Sequence, residues 1–195
     1  MWKKILLLSL ASALAACGDE TPTPTPAAYN PTGKGPGTSL RCKSSNKNAW
    51  DTFGVNAFVA VNKAIIKKTL DELGSSKGTT NLGSSFTLIG TGTDSNKPAY
   101  KDDAATFEGK LAAFLVYAYG GPDSITYTDG KMYTGPQDMV AAHKDMAITS
   151  AQYDYFVMNM VVPALTDNGV SVDDVNSCFA PIVLDAAFKA SIVGK

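Results

Sequence analysis

From residue 44 onward, apolar side chains recur at three- and four-residue spacing in blocks closed by glycine, and this pattern restricts the chain to a helical fold. Phe58, Val59, Val61, Ile65, Ile66, Leu70 and Leu73 make one broad apolar face, with Lys63, Lys67 and Lys68 largely to one side. Phe107, Leu111, Phe114, Leu115 and Ala118 make a second. Tyr153, Phe156, Val157, Met160, Val161, Ala164 and Leu165 make a third, and Val175, Phe179, Ile182, Val183 and Ala186 a fourth. Gly54, Gly74, Gly120-Gly121-Pro122 and Gly169 punctuate them. Asn46 to Phe53 reads as a short helix turning Trp50 and Phe53 inward, and Asn56 is a candidate cap for the next. Asp102 or Asp103 starts the second stripe. Thr149 and Gln152 form a capping box before the third, with Ile148 able to staple onto Tyr153. Ser171, followed by Asp173 and Asp174, opens the fourth. Pro163 and Pro181 lie inside these helices and are expected to bend them. The fold class expected is all-α.

Two segments depart from the helical pattern. Residues 74–101 are rich in Gly, Ser, Thr and Asn and read as an insertion-like loop, with a docked turn around Phe86. Residues 125–134 alternate around Asp129-Gly130 and predict a small β-hairpin with a two-residue turn. The first residues stand apart from the domain at 44–195. Lys3-Lys4, the apolar run from Ile5 to Leu10 and Leu14-Ala15-Ala16-Cys17 resemble a lipoprotein signal over 1–16, with Cys17 lipidated. The apolar run is shorter than the roughly 20 residues that span a bilayer. Residues 17–43, with Thr21-Pro22-Thr23-Pro24-Thr25-Pro26 at their heart, read as an extended tether up to about Gly37. The chain is therefore expected to be exported and anchored by lipid, facing the periplasm or the cell surface. Losing Lys3 and Lys4 takes the net charge from -1 to -3, which argues against a nucleic-acid partner. Cys42 and Cys178 remain. They either close a disulfide in that oxidising compartment or stay as two separate thiols.

His143 is the only histidine. One imidazole without partners cannot build a zinc site or a Ser-His-Asp relay, but it can be the sole protein ligand of a haem iron. Met139 lies one turn upstream on the same helical face, and Ala141 and Ala142 would not obstruct a flat ring. Such a histidine must be neutral, with its second ring nitrogen held by a backbone carbonyl about one turn upstream. The alternative is a surface histidine beside Lys144. Asp102-Asp103 and Asp173-Asp174 are neighbours that point apart on a helix, so neither pair reads as a catalytic dyad. No Cys-x-x-Cys-His is present, so covalent haem attachment is not expected.

In order, Phe114, Gly120-Gly121-Pro122, Tyr133-Thr134-Gly135, Met139, Ala142-His143, Ile148-Thr149, Tyr153 and Gly169-Val170 resemble the second half of a truncated haemoglobin, most closely group I. The likeness runs from about Phe107 to the C-terminus and is weaker from Trp50 to Leu73. It implies a two-over-two helical sandwich around a non-covalent haem b. His143 would be the proximal iron ligand. Met139, Ile148, Tyr153 and Phe156 would form the proximal and side walls, and Phe107, Leu111 and Phe114 the distal wall. Phe86 would wedge against the porphyrin. The chain departs from the family in a longer link from Gly121 to Tyr133, a longer step from Tyr133 to His143, and the inserted 74–101 segment. The family's distal Tyr and Gln positions fall at about Ile66 or Lys67 and at Leu111, which gives an apolar distal side. Lys67 or Lys110 could reach that side, and an amine ligates iron only when deprotonated. Snorkelling to solvent or pairing with a propionate is the alternative for both.

The function expected is reversible binding of a diatomic gas, dioxygen or nitric oxide, at a five-coordinate iron. The alternatives are a haem electron-transfer protein with a redox partner, or a haem-free structural lipoprotein that keeps the fold. Nitric oxide dioxygenase or peroxidase side activity would need an external reductant.

Overall fold

A computed structural model describes residues 35–195 other than Gly90 and Ser95. The signal, Cys17 and most of the tether lie outside the described residues. The described chain is mostly helical, with one two-stranded sheet. Helix α1 is Ala49–Leu73; it starts three residues later than the periodicity suggests, because Asn48 rather than Asn46 caps it by accepting from the Asp51 amide. Asn46 instead has φ 57° and turns the chain. At Gly54, φ is 69° and α1 kinks there, a conformation that glycine adopts without a Cβ clash.

The 74–101 segment is not a simple loop. It contains α2 (Gly78–Leu82), α3 (Ser85–Leu88) and a 3-10 turn at Pro98–Tyr100. Leu82 and Tyr100 are buried, and the Tyr100 hydroxyl donates to Ser85 Oγ at 3.1 Å. Apolar anchors separated by polar residues suffice to hold these short turns, although none has a helical stripe of its own.

Helix α4 is Ala104–Ala118, capped by Asp103, which accepts from the Thr106 amide. It packs along α1 through Ala112, Ala113, Val116 and Ala118, whose small or branched side chains let the two helices approach closely. Strands β1 (Ser124–Thr126) and β2 (Met132–Thr134) pair antiparallel with Ile125 opposite Tyr133. Their connection corrects the two-residue turn expected. Gly130 donates to the Tyr127 carbonyl, and the Tyr127 amide donates to Lys131 O at 2.8 Å. Gly130 takes φ 79°, so the loop is the three-residue kind, in which a left-handed residue follows an ordinary turn.

Helix α5 (Met139–Ala142) is a single turn capped by Asp138. The next rod is α6 (Ser150–Phe156), a π segment Val157–Val161, and α7 (Val162–Asp167). The last is α8 (Val172–Asp174), a π segment Val175–Phe179 and α9 (Ala180–Val183), followed by α10 (Ala186–Ala190). Each π segment runs up to a proline, Pro163 or Pro181, at the start of the following α-helix. A proline has no N–H for the preceding turn, and the helix widens to π spacing before it. The Thr149–Gln152 capping box forms as expected, and Gly169 has φ 85°.

Cys42 and Cys178 are joined in a disulfide, with Cα atoms 4.8 Å apart. The chain leading to Cys42 is seated on the domain rather than extended. Gly35 and Gly37 lie so close to the end of α4 that a Cβ on Gly35 would collide with the Tyr117 carbonyl. Residues 35–43 are therefore not part of an extended tether, although the sequence pattern assigned them to it. No described helix is long and apolar enough to cross a membrane.

A candidate haem cavity

The one-turn helix α5 presents His143 at its C-terminal end. Asp138 caps the turn by accepting from the Ala141 amide, and Met139 is buried beneath it. His143 Nδ1 lies 2.9 Å from the Met139 carbonyl oxygen. A carbonyl only accepts, so Nδ1 carries the proton and the neutral ring leaves Nε2 with its lone pair free. Burial lowers the His143 pKa below its ordinary 6.5, outweighing the Met139 hydrogen bond that works to raise it. The ring is thus held as a neutral, oriented nitrogen donor. Asp145 and Ala147, just beyond it, have φ 64° and 51°, unusual for residues with a Cβ. The Ala147 amide donates to Lys195 O at 2.8 Å and the Gly194 amide to Ile148 O at 2.9 Å. The C-terminal tail therefore braces the strained turn after His143.

His143 stands in the wall of a cavity of about 420 Å³, within the range of small-molecule and cofactor sites. The structure brings every expected pocket residue to that cavity. Phe107, Leu111 and Phe114 come from α4, Met139 from α5, Ile148, Tyr153 and Phe156 from the start and first turns of the α6 rod, and Phe86 from α3. Phe86 stacks on Phe156 with ring centroids 5.5 Å apart and meets Phe107 edge-on at 6.4 Å. The Tyr153 hydroxyl donates to Val183 O at 2.8 Å, which ties the wall to α9. Its phenol pKa is raised, by burial first and then by Asp154 and Asp185.

Two residues expected at the distal positions lie elsewhere. Ile66 and Lys67 do not line this cavity. They border a surface depression with Lys63 and Leu70, and Lys67 is exposed in an ion pair with Asp71 at 2.6 Å. The cavity face of α1 carries Phe58, Val61 and Ile65 instead, so it is still apolar. Lys110 lies at the cavity with its Nζ 2.7 and 2.9 Å from the two Asp102 carboxylate oxygens. Its side chain is 43% exposed, and its Nζ is engaged by Asp102 at the cavity edge.

Several wall residues escaped the sequence reading. Leu82 and Ile89 come from the inserted segment, and Phe188 and Ile192 from the C-terminal end. Phe188 stacks on Phe114, with centroids 6.4 Å apart and planes within 11°. The aromatic and aliphatic residues of 186–193 were the available signal, but so short a stretch has no periodicity to set its facing.

The wall chemistry suits a largely apolar group with an acidic edge. It offers facing rings and aliphatic chains, one neutral imidazole nitrogen, and one ammonium at the edge. Among the described residues, the only other cluster with metal-ligand chemistry is Cys42, Asp174 and Cys178, whose sulfurs are joined to each other. Comparison with protein-family models, with curated proteins and with solved structures gives no match to this chain.

Proposed function

We propose that this chain binds a b-type haem non-covalently, with His143 as its single axial protein ligand, and takes up a diatomic gas on the opposite face. The observation that carries the proposal is His143 itself, with Nδ1 fixed on the Met139 carbonyl in the wall of a mostly apolar cavity. The packing of α1 against α4, and of the 150–167 rod against α1 and 172–183, supports reading the helices as the two pairs of a two-over-two truncated globin. In this reading the chain is exported and held to a membrane through Cys17.

Each residue has a definable task. Met139 O sets the tautomer and orientation of His143 and increases the basicity of its Nε2. Phe107, Leu111 and Phe114 exclude water and offer no hydrogen-bond donor. Phe86, wedged between Phe107 and Phe156, closes the cavity from the inserted segment. Lys110, engaged by Asp102 at the cavity edge, is placed to meet a propionate rather than the iron. When bound, the haem would supply an iron able to take up dioxygen or nitric oxide. Any catalytic turnover draws on an external electron donor.

The test is reconstitution of the purified domain with hemin. A Soret band at one haem per chain is expected, and His143→Ala should abolish or strongly weaken haem retention. A variant spectrum unchanged from the wild type, or no uptake by the wild type, refutes the assignment.

A further inference from the structure

The hairpin carries two tyrosines that gas binding does not use. Tyr127 and Tyr133 are both buried, with ring centroids 6.3 Å apart and planes at 83°. The Tyr127 hydroxyl donates a short hydrogen bond to Glu108 Oε1, and the Tyr133 hydroxyl donates to Asp129 Oδ2 at 2.7 Å. Asn62, fully buried in α1, donates from Nδ2 to the Glu108 carbonyl at 3.0 Å and to Tyr127 Oη at 3.4 Å. The Glu108 carbonyl can only accept, which fixes the amide orientation. Tyr133 also lies one residue behind the cavity wall. Thr134 and Gly135 follow it and line the cavity, and its ring lies against Gly109, whose neighbour Lys110 lines the cavity too.

Removing one electron from a phenol makes it strongly acidic, so a buried tyrosine is oxidised only where a base can take its proton. Tyr127 and Tyr133 each have a carboxylate in place. Tyr100, Tyr119 and Tyr153 donate instead to a hydroxyl or to backbone carbonyls, which cannot take a proton at neutral pH. Burial and then the Glu108 bond raise the Tyr127 phenol, and the Asp129 bond and then burial raise the Tyr133 phenol, each to about 12, which keeps them protonated until they are oxidised.

We infer that Tyr127 and Tyr133, paired with Glu108 and Asp129, form a proton-coupled one-electron relay between the cavity and the surface, driven by peroxide. This rests on the haem reading above. In the balanced step, Tyr127 and Tyr133 would each give up one electron, and one proton by way of Glu108 or Asp129, which would pass it on to solvent. In haem-loaded protein the two electrons, with two protons returned from solvent, would reduce one hydrogen peroxide to two waters as its O–O bond breaks. The two phenoxyl radicals are reset by a small one-electron donor such as a phenol at the exposed side of the hairpin.

The test uses hemin-loaded protein mixed with hydrogen peroxide, frozen, and read by electron paramagnetic resonance. A tyrosyl signal is expected in the wild type. It should be lost in the Y127F/Y133F double variant with its Soret band unchanged, and kept in Y155F. Tyr155, which bonds Glu72, is the best competing site. Spin trapping and peptide mapping of the wild type need no variant and should place the adduct at Tyr127 or Tyr133. A signal that survives in the double variant, or an adduct only at Tyr155, overturns the relay. In a second arm, haem-free protein is oxidised by a photogenerated ruthenium(III) complex. Radicals at the pair there, without any Soret band on hemin addition, would refute the haem reading while leaving the chemistry of the pair standing.

Discussion

Gly135 sits where the segment after β2 crosses α4, and replacing it with alanine tests the cavity architecture without any ligand. A Cβ on Gly135 would fall onto the backbone N and Cα of Phe114 and lie 2.8 Å from its Cβ. These atoms belong to the middle of a helix, so no side chain can swing away. Either α4 or the 133–136 segment must shift. Overpacking of this kind costs about 1–3 kcal/mol, and a backbone collision belongs at the upper end. At roughly 2–4 °C per kcal/mol for a domain of this size, Gly135→Ala should lower Tm by about 6–12 °C. Gly130→Ala is the control. Its φ is 79° and nothing lies within 4 Å of the added Cβ, so only the left-handed backbone penalty of about 1–2 kcal/mol applies. Both would be followed by thermal unfolding of the haem-free domain. The reasoning fails if Gly135→Ala melts no lower than Gly130→Ala. Because Phe114 also lines the cavity, the Gly135 variant should weaken hemin retention, whereas the Gly130 variant should not.

Three further outcomes are expected. Cys42 and Cys178 lie 136 residues apart, and on the chain-entropy account their bridge removes roughly 5 kcal/mol of unfolded-state freedom. Urea unfolding with and without reductant should show most of that difference, and a shift under about 1 kcal/mol would contradict the account. In the haem-free protein the His143 pKa is depressed, so the unfolded state binds more protons between the folded pKa and 6.5. This group therefore makes stability rise with pH across that window and adds no slope above it. His143→Gln should flatten that part of the profile; an identical profile would mean the ring is not buried in solution. On the proposed haem reading, Leu111→Gln would put a donor in the cavity and should slow dioxygen release from hemin-loaded, reduced protein by roughly 10- to 100-fold, the equivalent of a hydrogen bond of about 1.5–3 kcal/mol to a charged ligand. Stopped-flow release no slower than wild type would refute an apolar distal side.

The helices were legible because their signals are local. Asp103, Thr149, Gln152 and Ser171 cap in the structure where the sequence placed caps, and Gly54 breaks α1 at the expected residue. The misreadings share a different cause. Asn46 and Asn48 are equally good caps by composition, and only packing against the α4 end chooses Asn48. Asp129-Gly130 suits both a two-residue and a three-residue loop; the Tyr127–Lys131 pairing decides between them. On α1, a one-residue shift in facing separates Ile65 at the cavity from Ile66 outside it, and a continuous apolar run cannot resolve that step.

Sequence alone determined the mostly helical class, the order of the main helices and the hairpin, and the singling out of His143, since periodicity, caps and a residue count need no long-range contact. The tertiary structure decided which of those apolar faces meet. Only folding brings Phe86, Leu82 and Phe188 to the cavity from segments without a stripe of their own. It also seats the Gly35–Cys42 strap on α4 and Cys178, and braces the turn after His143 with the chain's last residues. The stripes record that a surface is buried, but the partner that buries it is set by chain connectivity and close packing across the whole domain.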